Sequence, residues 1–488
     1  MESPRGSRFP EPLRQTGFWL RQRFVTGVQW CAVRLPLWRW AKVLWRVSFL
    51  PEQNYLIILA VVVGILTGLG SVGFIYLIEE IAAFARGPVA SLLDLFGPAN
   101  LLLLPALGGL IAGPLIHRFA REARGHGVPE VMTALATRGG RIRKRVAAIK
   151  VITSSLTIGF GGTAGREGPM VQIGSAIGSA VATWTRLDPD RVRTLVTCGA
   201  AGGVAATFNA PIAGAIFAME VLIGRVRTDF LLVLLTSLSS CMVARSYLGN
   251  YPAFTAPDYD LVSGGELPLY FIMGLLLGWA AMLYVRALYK TEDLFGAWRF
   301  PDYLKPAVGG LMAGLVLRYF PEVYGAGFPA VEAALWVRLP WELLLGLFVA
   351  ELVANCATLG SGGSGGVFAP SLYMGAMLGG AFGSLIHVVF PESTAGSGAY
   401  AMVGMAAFFA ATAKAPATSI LILFEMTNDY RIMLPLMAAT VASVYQSHRM
   451  SPFSVYTLKL HRRGVSYPGQ EEAERAAQQM AAPQGSRS

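Results

Sequence analysis

The residue of this chain best placed to do chemistry is Glu167, which opens a helix near the end of Gly159-Phe-Gly-Gly-Thr-Ala-Gly-Arg-Glu-Gly-Pro169, between apolar flanks. Glycines let the backbone turn its N–H groups into a cavity, and the first turn of a helix presents unpaired donors and partial positive charge, so an anion is welcome there. A carboxylate at membrane depth is costly and tends to be functional, which makes Glu167 a tethered anion competing with a diffusible one. The plainer alternative is an acidic helix cap at the surface. His126, in Gly125-His-Gly-Val-Pro-Glu-Val-Met-Thr-Ala-Leu135, is a second candidate. A neutral imidazole donates one N–H, whereas an imidazolium would add positive charge and make occupancy depend on pH; the plainer reading has it bonding a nearby carbonyl. The serines of Gly360-Ser-Gly-Gly-Ser364 raise an intramembrane serine protease. That chemistry needs a histidine base within reach, and neither His126 nor His387 is joined to Ser361 or Ser364 by a motif. Cys31, Cys198, Cys241 and Cys356 are scattered, with neither a disulfide framework nor metal-ligand spacing, and no cofactor or metal is expected.

The elements that position these residues are those of a membrane protein. Of 488 residues 54% are hydrophobic and only 14% charged, with a mean hydropathy of +0.51, and several stretches approach the length that spans a bilayer. The apolar runs are continuous rather than alternating, which disfavours a β-barrel, and the 55 glycines suit closely packed or broken helices. The net charge of +11 lies at the ends and in loops between spans, the pattern of a cytoplasmic membrane face and not of a nucleic-acid partner. Residues 1–50 carry nine Lys/Arg with several Trp and Phe, and read as a basic amphipathic segment on the inner surface; residues 465–488 lack an apolar pattern and read as a disordered tail.

Between them the chain repeats itself, over 51–250 and 251–464. Gly125–Leu135 returns as Gly325-Ala-Gly-Phe-Pro-Ala-Val-Glu-Ala-Ala-Leu335, and Gly159–Pro169 as Gly360-Ser-Gly-Gly-Ser-Gly-Gly-Val-Phe-Ala-Pro370. Ile173-Gly174 is matched by Met374-Gly375, Ala210-Pro211 by Ala415-Pro416, and Glu220 by Glu425. Residues 118–150 hold nine Lys/Arg against two acids, whereas 318–351 hold two against four, so equivalent loops should face opposite sides of the membrane. The fold expected is therefore an all-α polytopic membrane protein of two inverted-topology repeats, whose broken, tilted helices aim their N-terminal ends at one shared midplane site.

With these motifs in hand, the chain resembles the CLC chloride channel and transporter family over roughly residues 52–465. The family signature Gly-Ser-Gly-Ile-Pro stands here as Gly125-His-Gly-Val-Pro129, Gly-Lys/Arg-Glu-Gly-Pro as Gly165–Pro169, and Gly-x-Phe-x-Pro as Gly366–Pro370. The resemblance implies that Glu167 is the gate, that the backbone N–H groups of Val367 and Phe368 coordinate the central anion, and that the pore tyrosine is Tyr456. His126 stands where the family has a serine whose hydroxyl donates to the anion. In Ala218-Met-Glu-Val-Leu222, Glu220 is followed by Val221 where family exchangers carry a proton-transferring glutamate. That departure favours an anion channel with weak or no proton coupling over the alternative, a proton-coupled chloride antiporter, although Glu220, a water wire or His126 could relay protons. Arg166 and Lys150 are expected to raise the local potential without coordinating the ion, and Gly168 to complete the site's secondary residues. The resemblance further implies a homodimer with one complete pore per subunit in the cell membrane, both termini cytoplasmic; candidate interface helices lie within 190–247 and 402–446.

Overall fold

The computed structural model describes residues 52–93, 100–224, 229–250, 254, 257, 259, 262–427 and 429–467. The segment expected over 1–50, and the tail from residue 468 on, lie outside the described residues. Regular structure among the described residues is helical, apart from two isolated backbone bridges.

The first half comprises α1 (Glu52–Phe84), α2 (Asn100–Phe119), α3 (Val128–Thr137), α4 (Lys144–Gly159), α5 (Glu167–Trp184), α6 (Pro189–Phe208), α7 (Pro211–Phe217, widening into a π turn over Ala218–Ile223) and α8 (Phe230–Leu248). The second half answers it helix for helix: α9 (Leu267–Ala297), α10 (Lys305–Tyr319), α11 (Phe328–Leu335), α12 (Trp341–Gly360), α13 (Phe368–Val389), α14 (Ser397–Ala413), α15 (Pro416–Thr427) and α16 (Met433–Met450). A short α17 (Thr457–Arg462) follows outside the repeat. Among the described residues, six helical stretches are long and apolar enough to cross a membrane. With 33 residues, α1 runs to about 50 Å at 1.5 Å per residue, more than a hydrocarbon core is thick, so it crosses at a tilt.

Local sequence sets the breaks. Pro211 and Pro416 lie at helix starts, where a missing N–H costs nothing. The helices before them end on Asn209 and Lys414 in the left-handed conformation, at φ 59° and 55°, at equivalent places in the two halves.

Glycine then sets the packing. A Cβ on Gly174 of α5 would lie 2.1 Å from the carbonyl oxygen of Gly199 on α6, and one on Gly199 would lie 2.0 Å from that of Gly174. The equivalent crossing of α13 and α14 repeats this, with Gly375 and Gly404 each meeting the other's carbonyl at 2.3 Å. Between the halves, a Cβ on Gly109 would meet the Pro306 carbonyl oxygen at 2.1 Å and one on Gly310 the Pro105 carbonyl oxygen at 2.2 Å. Exchanging the two halves returns the same contact, the mark of a pseudo-twofold axis between inverted repeats. α14 is buried along its whole length, whereas Leu231, Leu238 and Met242 of α8 and Leu276 and Trp279 of α9 are exposed apolar surface of the kind a bilayer or another subunit covers.

Candidate functional site

Four chain breaks meet at the centre. Gly165 and Gly366 exchange a pair of backbone hydrogen bonds, 2.9 Å from Gly165 N to Gly366 O and 2.7 Å in return. Gly125 N donates to Gly363 O at 2.9 Å, and Ala164 N to Gly325 O at 3.2 Å. These bonds tie the starts of α3 and α5 to the starts of α11 and α13, so the N-terminal turns of both halves point inward together. The junction leaves no room for side chains: a Cβ on Gly168 would stand 2.6 Å from the His126 carbonyl oxygen and 3.0 Å from Gly366 Cα. Gly125 and Gly127 hold the turn on either side of His126 at φ 70° and 71°, a conformation that favours glycine.

Glu167 lies at this junction, 1% exposed, and neither carboxylate oxygen has a hydrogen-bond partner. The backbone amides that act on it are its own and that of Ala369, in the first turn of α13. Val367 and Phe368, both buried, open that turn, where N–H groups have no acceptor within the helix. The Phe368 ring is wedged between Phe208 and Phe409, at centroid distances of 4.7 and 4.0 Å, and holds the helix start in place. Tyr456 is buried within electrostatic reach of Glu167, and its ring centroid is 5.9 Å from that of His126. The structure thus brings Glu167, His126, Val367, Phe368, Gly168 and Tyr456 together in the buried centre, where the helix starts of both halves meet.

The sequence profile of the voltage gated chloride channel family matches residues 108–448. The chain belongs to the CLC chloride channel family. A putative chloride channel protein, ClcB-like, from Ralstonia nicotianae is 36% identical over 74% of this chain and 85% of its own length. An H(+)/Cl(−) exchange transporter, ClcA, from Vibrio cholerae serotype O1 is 34% identical over 83% of this chain and 88% of its own. The solved structure of a slow cyanobacterial Cl−/H+ antiporter superposes with a TM-score of 0.77 at 28% identity, covering 84% of this chain and 97% of that one.

Around the CLC site the remaining candidates take distinct places. Lys150 is fully buried and spends its ammonium on the carbonyl oxygens of Ala123 and Gly125, at 2.9 and 2.7 Å, so it clamps the loop that carries His126 and adds its charge beneath it. Arg166 is half-buried, with its guanidinium 5.0 Å from the centre of the Phe328 ring and 3.4 Å from Thr207 O. Glu220 caps a helix: its carboxylate accepts from Ala417 N at 3.2 Å, Thr418 N at 2.7 Å and Thr418 Oγ1 at 2.6 Å, at the start of α15. Glu425 does the same for α7, accepting from Ile212 N at 3.1 Å and Ala213 N at 2.7 Å. Each half thus caps a helix of the other, and no contact joins Glu220 to Glu167 among the described residues. The serines form no pair with a histidine there. Ser361 Oγ donates to Thr358 O, Ser364 Oγ to Ala123 O, and His387 meets Thr394.

Sequence reasoning missed the side chains that support the site. Tyr289, in the C-terminal half of α9, donates its hydroxyl to Val455 O at 2.5 Å and meets His126 Nε2 at 3.4 Å. It also lines an open cavity with Arg121, Arg124, Lys459, Arg462 and Arg463, the basic vestibule on the 118–150 side. Lys459 pairs there with Glu292 at 3.2 Å and Arg463 with Glu130 at 2.7 Å. Deeper in, Tyr284 donates to Asn355 Oδ1 at 2.7 Å, and Asn355 Nδ2 donates to Thr163 O at 2.8 Å, fixing the glycine break before Glu167. Position arithmetic on the repeat would have flagged Glu351, the counterpart of Lys150; it is 2% exposed, and its Oε2 has no partner.

Proposed function

We propose that this CLC chain exchanges chloride for protons, with Glu167 as the group that alternates between occupying an anion position and carrying a proton. The observation that carries this reading is the enclosure of Glu167: a carboxylate buried with no side-chain hydrogen-bond partner, at the meeting of two helix starts, in a region where His126 and Tyr456 are equally closed to solvent. A site sealed around its own gate suits a carrier that passes through occluded states better than a standing pore. The relatives support the same choice, because the Vibrio cholerae protein is named an H(+)/Cl(−) exchange transporter and the cyanobacterial structure is that of a Cl−/H+ antiporter. In this cycle, protonation removes the charge of Glu167 and frees the backbone donors of Val367 and Phe368 for chloride. Tyr456 and His126 close the site toward the basic vestibule. The reading places that vestibule and both termini in the cytoplasm, needs no cofactor, and gives each subunit of a homodimer a complete pathway.

The channel reading is kept alive by one observation. Val221 is apolar and Glu220 is committed to α15, so the usual second acid for proton transfer is lacking. Purified protein in liposomes decides between the two. An imposed chloride gradient drives uphill proton movement if the chain is an exchanger; dissipation of the chloride gradient with no proton displacement makes it a channel. For the dimer, burial narrows the expected surface: residues 195–208 and 402–413 are enclosed within the subunit, which leaves 211–247 and 416–446.

A further inference from the structure

An exchanger with a valine at 221 and a capping glutamate at 220 needs another proton route between Glu167 and the vestibule, along a water wire or through a titratable group. The hydrogen-bond pattern around His126 singles it out. Tyr289 has one hydroxyl hydrogen and spends it on the Val455 carbonyl at 2.5 Å, so toward His126 Nε2, 3.4 Å away, its oxygen can only accept. Nε2 therefore carries the hydrogen of the neutral ring. Nδ1 is then a bare lone pair, and it is buried with no partner. A lone pair repels an anion; the same nitrogen carrying a proton would donate to one.

We propose that His126 is the proton-loading residue on the vestibule side of the CLC site, taking up a proton at Nδ1 as an anion arrives and passing it to Glu167. The inference rests on the exchanger reading above. Three cations act on the ring, Lys150 from α4 and Lys459 and Arg463 from α17 and its end, and the hydroxyls of Tyr289 and Tyr456 face it from α9 and from the turn before α17. The partners of two of these cations, Glu292 and Glu130, are already drawn to them. All three cations oppose a second proton on an empty site, and a chloride beside the ring offsets that opposition. Proton uptake and anion uptake are thereby coupled by Coulomb attraction alone. In the transfer, the Nδ1–H bond forms as an O–H bond of hydronium breaks; it then breaks as an O–H bond forms on Glu167. The electron pairs stay on nitrogen and on oxygen, and nothing is oxidised or reduced. Tyr456 is near both groups, its ring 5.9 Å from that of His126 and within electrostatic reach of Glu167.

The test compares wild type, His126→Gln and His126→Ser in liposomes, reading protons moved per chloride, together with a titration of sodium chloride into weakly buffered detergent-solubilised protein in which Glu167→Gln silences the gate, with residue 126 as His, Gln or Ser, reading protons taken up on binding. The expected result is a drop in protons per chloride of at least about tenfold in both variants, with proton uptake on chloride binding when residue 126 is histidine, which both variants lack. A variant that transports neither ion is judged by the titration: loss of proton uptake with chloride binding retained supports the assignment, and undiminished uptake overturns it. Unchanged stoichiometry in either variant also overturns it and leaves the exchanger reading standing. A wild type that moves no protons sinks both together.

Discussion

The two halves of the molecule share a backbone and differ in charge. Gly125 and Gly325 sit at φ 70° and 68°, Gly127 and Gly327 at 71° and 67°, and Gly161 and Gly362 at 94° and 107°. At the same places the side chains part company: His126 answers Ala326, Arg166 answers Val367, Glu167 answers Phe368 and Lys150 answers Glu351. The frame that aims helix ends at the centre is common property, because it is built from glycine contacts and backbone bonds that need no side chain. The titratable carboxylate proposed as the gate belongs to the first half alone. A symmetric cradle would hold an anion equally from both sides; a carboxylate on one wall makes the site occupied or free according to its protonation.

The largest expected effect comes from erasing that asymmetry. Glu167→Gln removes the competing charge and the proton carrier at once, so proton movement should fall by about a hundredfold or more while chloride continues to pass. In the wild type, acid on the outer side protonates Glu167 and raises chloride flux, and in the variant that dependence flattens. Flux measured across a series of external pH values checks this, and a preserved slope in Glu167→Gln would remove Glu167 from the gate.

A second comparison probes what the halves share. Gly199→Leu and Gly404→Leu each force a side chain against a carbonyl at about 2 Å in the backbone as it stands, and each should cost about 3 kcal/mol or abolish folding. Thermal unfolding in detergent should find the two equally damaging. A tolerated substitution in one half would mean that its helix crossing is looser than its counterpart.

How much of this was legible in the chain follows from the same division. The repeat, the glycine breaks and the carboxylate at residue 167 stand out because they are local patterns, and the inverted orientation follows from the charge contrast between 118–150 and 318–351. Tyr456 lies outside the repeat and was reached only through the family resemblance. Tyr289, Asn355 and Tyr284 were illegible, each lying outside any motif on a long apolar helix, with partners far away in sequence. Glu220, an acid at a motif position, admitted a proton path or a structural role, and its partners, Ala417 and Thr418, about two hundred residues away, could not be read from the sequence.

The caps offer a finer test of exchange between the halves. Glu220→Gln and Glu425→Gln each weaken charge-assisted bonds to a helix start in the opposite half, and each should cost about 1 to 2 kcal/mol. Thr418 gives Glu220 a third donor, so its loss should be the larger of the two. Matched thermal melts with proton-to-chloride ratios unchanged would fit a capping role. A shifted ratio in Glu220→Gln alone would return Glu220 to the proton path.

The smallest effect, and the one of opposite sign, is expected at Glu351, set against its counterpart Lys150. Lys150 satisfies two loop carbonyls, and Lys150→Met, leaving both bare, should destabilise by about 1 to 3 kcal/mol. Its counterpart has no hydrogen bond of its own among the described residues, and nothing compensates its burial. A polar group buried without partners in that position contributes less than an apolar side chain of similar size would. Glu351→Leu should therefore stabilise the protein by about 1 kcal/mol, read as a raised thermal midpoint, whereas the same replacement at Lys150 lowers it. A fall in the midpoint of Glu351→Leu would show that the second half, too, relies on a polar group at this depth. The division of labour between a charged half and an apolar half would then have to be redrawn.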